Sequence, residues 1–164
     1  MIVMGIDPGS NITGYGVISC NSDLTFSYIA SGVVRSNPKE PFTNRLKNIY
    51  TSVESLVEQY QPQQIAFEDV FYSRNVKAAL QLGQARGAAL IAALNADIKV
   101  FIYAPREIKQ ALTGSGNAAK EQVRAFVQRL LKIEQPLHPL DVSDALAVAI
   151  CHHFRFSTRE RLSL

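Results

Sequence analysis

The 164-residue sequence contains only two cysteines, Cys20 and Cys151, each among apolar neighbours. Two cysteines without metal-ligand spacing are typical of buried thiols, not of a disulfide framework or a zinc site. The N-terminus lacks a basic segment followed by a long apolar run, and no stretch is apolar enough to span a bilayer. These absences predict a cytoplasmic protein without a membrane segment.

The sequence also lacks repeats, low-complexity segments and an interdomain linker. Hydrophobic residues make up 47% of the chain and charged residues 19%, as expected for a folded globular protein. Its length is enough to bury a sizeable core in one domain. We therefore predict one domain over residues 1–156, followed by a basic, flexible tail over residues 157–164.

The net charge of +3 is small, but the positive charges are concentrated in one part of the chain. Residues 71–132 contain ten Lys and Arg and three acids, Asp97, Glu107 and Glu121. Such a concentration is typical of a surface that binds nucleic acid.

Apolar spacing predicts a mixed α/β domain. Period-two patterns and turn residues predict an antiparallel meander of three strands. A helix, a strand, a second helix and a last strand follow, which implies two parallel strands with crossover connections. The predicted strands are residues 2–7, 14–20, 24–35, 64–68 and 98–104. The predicted helices are residues 43–60 and 75–95, one starting at Pro105, one capped by Asn117 and ending at Lys132, and a last one starting at Asp141.

Four carboxylates occupy the ends of these elements: Asp7, Glu68, Asp141 and Asp144. Asp7 and Glu68 end strands that we predict to be parallel neighbours, so both meet at one edge of the sheet. Asp141 and Asp144 are three apart on a helix and share a face. Buried acids require positive compensation, and oxygen ligands suit divalent metal. Two Mg²⁺ ions held by these side chains would activate water at a phosphate, so the pattern predicts a nuclease.

Each acid also has a structural interpretation. An Asp before Pro-Gly shapes turns, Asp141 fits a helix N-cap, and Asp144 fits the first turn of a helix. Glu68 has no capping role, because it ends a strand. Asp69 points to the other face of that strand and is left out of the predicted site.

Five motifs resemble the RuvC family of bacterial Holliday-junction resolvases, which belongs to the RNase H-like superfamily. They are residues 5–10 (GIDPGS), 13–16 (TGYG), 68–71 (EDVF), 82–87 (LGQARG) and 141–147 (DVSDALA). They occur in family order and span nearly the whole chain. The resemblance implies an RNase H-like fold with a mixed five-stranded sheet, three antiparallel strands and then two parallel ones, flanked by helices.

The resemblance also implies an endodeoxyribonuclease that resolves four-way DNA junctions by paired symmetric nicks in recombination and repair. It implies a homodimer, Mg²⁺ held by the four carboxylates, with Mn²⁺ as a substitute, and partnership with the RuvA and RuvB branch-migration proteins. The family's two functional lysines match Lys109 and Lys120.

Basic and aromatic side chains are the candidate DNA contacts. The basic candidates are Arg74, Lys77, Arg86, Arg106, Lys109, Lys120 and Arg124, whereas Arg129 and Lys132 fit a solvated helix face. Phe71 or Tyr72 would stack on unpaired bases near the crossover, and we favour Phe71 by family analogy. The three histidines do not fit the metal site.

Gly83 and Gly87 lie four apart within a predicted helix, where each costs about 1 kcal/mol relative to Ala. Close packing against another backbone would explain them. The sequence leaves two interpretations open: a twofold dimer interface, which we favour, or packing against the protein's own sheet.

Three other functions are compatible with parts of the sequence. Asp7-Pro8-Gly9 also resembles the first phosphate loop of actin-like ATPases and sugar kinases, but the chain lacks their second domain. A junction-binding protein without activity would not need all four acids. A nuclease directed at RNA shares the metal chemistry and stays open.

Overall fold

The computed structural model describes residues 1–21, 25–69 and 75–162, with side chains through Ser157. The elements follow the predicted order. The strands are β1 (Ile2–Asp7), β2 (Ile12–Cys20), β3 (Phe26–Arg35), β4 (Gln64–Glu68) and β5 (Lys99–Tyr103). The helices are α1 (Phe42–Tyr60), α2 (Val76–Asn95), α3 (Pro105–Thr113), α4 (Lys120–Leu131) and α5 (Leu140–Leu162).

The strands form one mixed sheet in the order β3-β2-β1-β4-β5. β1 pairs antiparallel with β2, and β2 pairs antiparallel with β3. β4 runs parallel to both β1 and β5. The predicted arrangement of three antiparallel strands followed by two parallel strands is confirmed, and it makes β1 the central strand.

Alternating side chains of the sheet face two separate layers of helices. Met4 and Ile6 belong to a core that includes α1 and α2, whereas Val3 belongs to a core that includes α3, α4 and α5. This period of two is the geometry of a strand buried on both faces. The sheet is therefore sandwiched between helices, and its strand ends are left for the site.

The N-terminal caps of two helices, α4 and α5, differ from the sequence prediction. Asn117 does not cap α4, which starts at Lys120 with Ala119 as its N-cap residue. The Gln122 side chain accepts a hydrogen bond from the Ala119 backbone N–H at 2.9 Å, so a residue inside the helix satisfies the cap. Helix α5 starts at Leu140, which places Asp141 in its first turn and makes the N-cap interpretation wrong.

Helix α5 continues to Leu162, past residue 156. The division of the chain at 156/157 stays a prediction. Within the described parts of the chain, the model has no helix with both the length and the apolar character needed to cross a bilayer.

Candidate active site

Asp7 and Glu68 end adjacent parallel strands. The register pairs Ile6 of β1 with Phe67 of β4, and each carboxylate is the next residue of its strand. The side chains just before each acid are fully buried, namely those of Ile6 in β1 and of Ala66 and Phe67 in β4. The predicted convergence of these two acids at one edge of the sheet is thus present in the structure.

Glycines in β1 and β2 let α5 approach the sheet closely. A Cβ on Gly5 would lie 2.0 Å from the carbonyl oxygen of Ala145, and one on Gly14 would lie 2.2 Å from that of Asp141. No side chain could occupy either gap, so backbone meets backbone. This contact brings Asp141 and Asp144 to the sheet edge that carries Asp7.

The face of α5 opposite its acids is buried, as the sequence predicted. Its members are at most 4% exposed: Val142, Ala145, Leu146, Ala149 and Ile150. Their mostly small size suits the close approach to the sheet.

Two cavities adjoin the acids. One of ≈ 190 Å³ is lined by Asp7, Glu68 and Asp144, together with Pro8, Asp69, Leu82, Pro105 and Lys120. A second, of ≈ 140 Å³, is lined by Glu68, Asp144, Lys109 and Lys120 with apolar side chains of α3, α4 and α5. A larger cavity of ≈ 460 Å³ lies between β3 and residues 131–138, away from the acids. Asp141 lines neither of the two smaller cavities. These two cavities combine carboxylates with lysines, which is the chemistry suited to a phosphodiester.

The pKa values of Asp7 and Glu68 are both raised, first by burial and then by the charges of neighbouring carboxylates. Burial, followed by the charges of Glu68, Asp144 and Asp141, raises the pKa of Asp7 to about 8. Burial and then Asp144 raise the pKa of Glu68 to about 6, although a hydrogen bond with Asp7 and the nearby lysines oppose the shift. Such mutual repulsion indicates a site short of positive charge.

Lys120 supplies part of that charge. Its Nζ lies 2.9 Å from Asp144 Oδ2, and this hydrogen bond is the main cause of the raised pKa of Lys120. The loop before Lys120 is fixed by Gln110, whose side chain donates to the Gly114 carbonyl at 2.7 Å and accepts from the Gly116 N–H at 2.9 Å. The lysine is therefore presented from an ordered turn.

The donor set fits divalent metal, because four carboxylates provide oxygen ligands and their charge is incompletely compensated. In the ranges that the structure describes, however, no three His, Cys, Asp or Glu side chains already have the spacing of a complete metal site.

The predicted DNA contacts fall into different environments. Lys77 and Arg106 are exposed, and Arg124 is half-buried. Arg86 instead lies 3.0 Å from Asp69 in an ion pair. Phe71, Tyr72 and Arg74 lie outside the described residues. All of these roles stay predictions.

Among the histidines and cysteines, His152 is fully buried and hydrogen-bonded, with Nδ1 2.8 Å from Tyr103 Oη and Nε2 2.6 Å from Gln64 Oε1. Burial lowers the pKa of His152 to about 4, which keeps the imidazole neutral.

Cys20 and Cys151 are buried free thiols, as predicted.

Sequence analysis missed Arg45, which is buried at 8% exposure. Its Nη2 donates to the Ser10 carbonyl and to Asn11 Oδ1, so it holds the turn that follows Asp7. One signal was available: Arg45 precedes buried Ile49, Val53 and Val57 of α1 at a spacing of four. That spacing places the arginine on the buried face of the helix.

Comparisons with known proteins show the family of the chain. A sequence model of the RuvC family, described as crossover junction endodeoxyribonuclease RuvC, matches residues 3–152. The RuvC protein of Pelodictyon phaeoclathratiforme is 44% identical over 160 residues, covering 98% of this chain and 83% of the relative. The RuvC protein of Aliivibrio fischeri is 51% identical over 152 residues, covering 92% of this chain and 86% of the relative.

Thermus thermophilus RuvC in complex with a Holliday junction substrate matches with a TM-score of 0.92 and 36% identity, over 97% of this chain and 96% of that chain. The chain thus combines this sheet order, and acids at the ends of β1 and β4, with sequence identity to RuvC proteins over nearly its full length. The fold is RNase H-like, and the chain belongs to the RuvC family of crossover junction endodeoxyribonucleases.

Proposed function

We propose that this protein resolves four-way DNA junctions in recombination and repair, cutting two opposed strands symmetrically by metal-dependent hydrolysis. The observation that carries the proposal is the convergence of Asp7, Glu68, Asp141 and Asp144 from β1, β4 and α5 in a chain of the RuvC family. A similar fold is known with a Holliday junction substrate in the T. thermophilus protein.

The four carboxylates would hold the metal, which we take to be two Mg²⁺ per site, replaceable by Mn²⁺. When bound, such ions activate water and stabilise the leaving oxygen of a phosphodiester. Lys120 and Lys109 line the cavity beside Glu68 and Asp144, where their charge would meet the scissile phosphate. With Asp144 serving as a metal ligand, the Lys120 ammonium that now pairs with it would be available to the phosphate.

Contact with the junction arms would come from the basic side chains outside the pocket. Lys77 and Arg106 are exposed and suited to phosphate, and Arg124 is half-buried in α4. Phe71, or else Tyr72, would stack on bases opened at the crossover, and Arg74 would be a further DNA contact. Family resemblance supports the choice of Phe71.

A homodimer would place two active sites on the two strands that are cut. Helix α2 carries an apolar stripe, Val76, Leu80, Gly83, Gly87, Ile91 and Leu94, spaced three and four apart. Its four large side chains are 54–67% exposed. Among described atoms outside α2's own nearby backbone, none lies within 4 Å of a Cβ built on Gly83 or Gly87, so packing on the protein's own sheet does not explain these glycines. We assign this stripe to the dimer interface.

Family resemblance also supports RuvA and RuvB as the branch-migration partners of the dimer. The location would be the cytoplasm, as the sequence predicts.

Cleavage of a synthetic four-way DNA junction, compared with duplex DNA and an RNA–DNA hybrid with and without Mg²⁺, tests the proposal. We expect Mg²⁺-dependent paired nicks in the junction and little cleavage of the other two. Preferential cutting of the hybrid would favour the RNA-directed alternative. Absence of junction cleavage with both Mg²⁺ and Mn²⁺ would overturn the proposal.

A further inference from the structure

An open polar groove lies between β3 and α1, outside the candidate active site. Its volume is ≈ 420 Å³. The end of β3 contributes Arg35 to its walls, and α1 contributes five polar side chains, Asn48, Thr51, Ser52, Ser55 and Gln59. The described residues that line it include no carboxylate. An anionic ligand therefore meets no like charge on these walls.

Several polar side chains of the groove are not occupied by the protein itself. The hydroxyls of Thr51 and Ser55 donate to carbonyls of their own helix, and Asn48 donates to the Arg35 carbonyl at 3.1 Å. In the described parts of the chain, no group accepts a hydrogen bond from the side chains of three others: Arg35, Ser52 and Gln59. These three donors are available to a ligand.

The donors are too far apart for one small anion. Ser52 and Gln59 are seven residues apart on α1, which corresponds to about 10 Å along the helix axis. Arg35 is on the other wall of the groove, at the end of β3. Arginine, serine and glutamine are among the side chains that bind DNA phosphates without reading the sequence. Their spacing fits a stretch of sugar–phosphate backbone.

Further positive charge lies near the Arg35 end of the groove. Residues 35–47 contain four Lys and Arg and one acid, Glu40. Lys39 follows β3, and Lys47 is one helical turn before Thr51 on α1. Arg35, Lys39 and Lys47 are exposed, and within the part of the chain that the structure describes none of them is in an ion pair. This charge complements a polyanion.

The groove connects with the active site through the turn that follows Asp7. Arg35 pairs with Ile12 in the sheet, and the Ser36 N–H donates to the Asn11 carbonyl at 2.9 Å. The sheet order places β3 and β4 on opposite sides of β1, the strand that ends at Asp7. DNA held at Asp7 therefore has this groove on one side and Glu68 on the other.

We propose that the groove between β3 and α1 binds the sugar–phosphate backbone of one junction arm as that arm leaves the active site. Arg35, Ser52 and Gln59 donate to phosphate oxygens, and the two nearby lysines add charge. The inference rests on the proposed function of the Asp7 site. It adds a contact surface outside residues 71–132, where all the DNA contacts predicted from the sequence lie.

The first test compares Arg35→Met with Lys99→Met. Lys99 is also an exposed cation, but it starts β5, which runs parallel to β4, so it lies at the sheet edge opposite to Glu68. Junction affinity is measured without divalent metal between about 50 and 200 mM salt. Arg35→Met should weaken binding roughly tenfold at the lowest salt and reduce the slope of log affinity against log salt by about one.

The control fixes how that result is interpreted. Lys99→Met should change affinity less than about twofold and keep the wild-type slope. A partly unfolded Arg35→Met protein would lower the apparent affinity without changing the slope. Equal affinity and slope in the two variants would overturn the inference and leave the groove to a partner other than DNA.

The second test keeps the charge of the groove. The double variant Ser52→Ala/Gln59→Ala removes the two neutral donors, and hydroxyl-radical footprinting compares its junction complex with that of the wild type. We expect a segment of one arm to lose protection. Ser55→Ala is the matched control, because the Ser55 hydroxyl donates to the Thr51 carbonyl at 2.9 Å, and its footprint should equal the wild type's. Unchanged arm protection in the double variant would overturn the inference.

The inference and the proposed function fail separately. Wild-type protein that binds the junction but does not cut it with Mg²⁺ or Mn²⁺ would overturn the function, whereas the salt slope and the footprint would still test the groove. Normal wild-type cleavage, together with unchanged binding by Arg35→Met, would overturn the groove alone.

Discussion

The Cβ that Gly14 lacks would lie 2.2 Å from the backbone carbonyl oxygen of Asp141. Gly14 is also the β2 partner of Asp7 in the antiparallel register. One glycine thus sets the spacing between the helix that carries two acids and the strand that carries a third.

Gly14→Ala should therefore impair the site by pushing the start of α5 away from the sheet. We expect lower Mn²⁺ affinity and slower junction cleavage, measured below the unfolding temperature of the variant. Gly32→Ala is the matched control in the neighbouring strand, because the three atoms nearest its Cβ would be at the tip of the Tyr15 side chain, the first 2.8 Å away, and not in backbone. Equal metal affinity in Gly14→Ala and wild type would contradict this role.

The meeting of Asp7 and Glu68 at one edge of the sheet could be predicted from the sequence, because the signal lies within each strand. Asp7 and Glu68 each end a short apolar run, and parallel pairing places such ends together. The register of Ile6 with Phe67 follows this expectation. The small face of α5 likewise predicted its close packing on the sheet.

Contacts between distant segments could not be predicted in this way. Arg86 looked like a free cation in the sequence, because its partner Asp69 lies earlier in the chain, just after the end of β4. Pairings of this kind depend on the tertiary fold and leave no periodic pattern.

The raised pKa of Asp7 predicts how stability of the metal-free protein depends on pH. The folded-state pKa is about 8, against an ordinary value of 3.8. The unfolded chain releases this proton above pH 4, but the fold retains it, so stability is lost as pH rises from about 4 to 8. Asp7→Asn should remove this loss and raise Tm progressively over that window, with each kcal/mol worth about 2–4 °C.

The exposed turn residue Asp97 provides the control for this pH dependence. The difference in Tm between Asp97→Asn and wild type should not grow between pH 4 and 8. A difference between Asp7→Asn and wild type that stays constant with pH would contradict the repulsion among the buried acids.

Lys109 and Lys120 are expected to act at the scissile phosphate and not as general DNA contacts. Each Lys→Ala variant should therefore reduce the single-turnover cleavage rate more than it reduces junction affinity. Rate constants at saturating enzyme and affinities from gel shift measure the two separately. Equal losses in rate and affinity would make the lysines ordinary phosphate contacts.

The apolar stripe of α2 predicts the oligomeric state. Leu80→Glu should convert the dimer to monomers, because it places a charge within the apolar stripe that we assign to the interface. Phe126→Glu is the control, since Phe126 is 38% exposed on α4, outside the stripe. Sedimentation would measure the mass, and a dimeric Leu80→Glu variant would contradict the assignment. Monomers should nick one strand without pairing the two cuts.

The most direct test of the central claim measures junction cleavage and junction binding together for Asp7→Asn, Glu68→Gln, Asp141→Asn and Asp144→Asn under Mg²⁺. Each change removes a proposed metal ligand and lowers the negative charge that faces the DNA. We predict that each variant loses cleavage and binds the junction as tightly as wild type or more tightly. Near-normal cleavage by Asp7→Asn or Glu68→Gln would contradict the metal site.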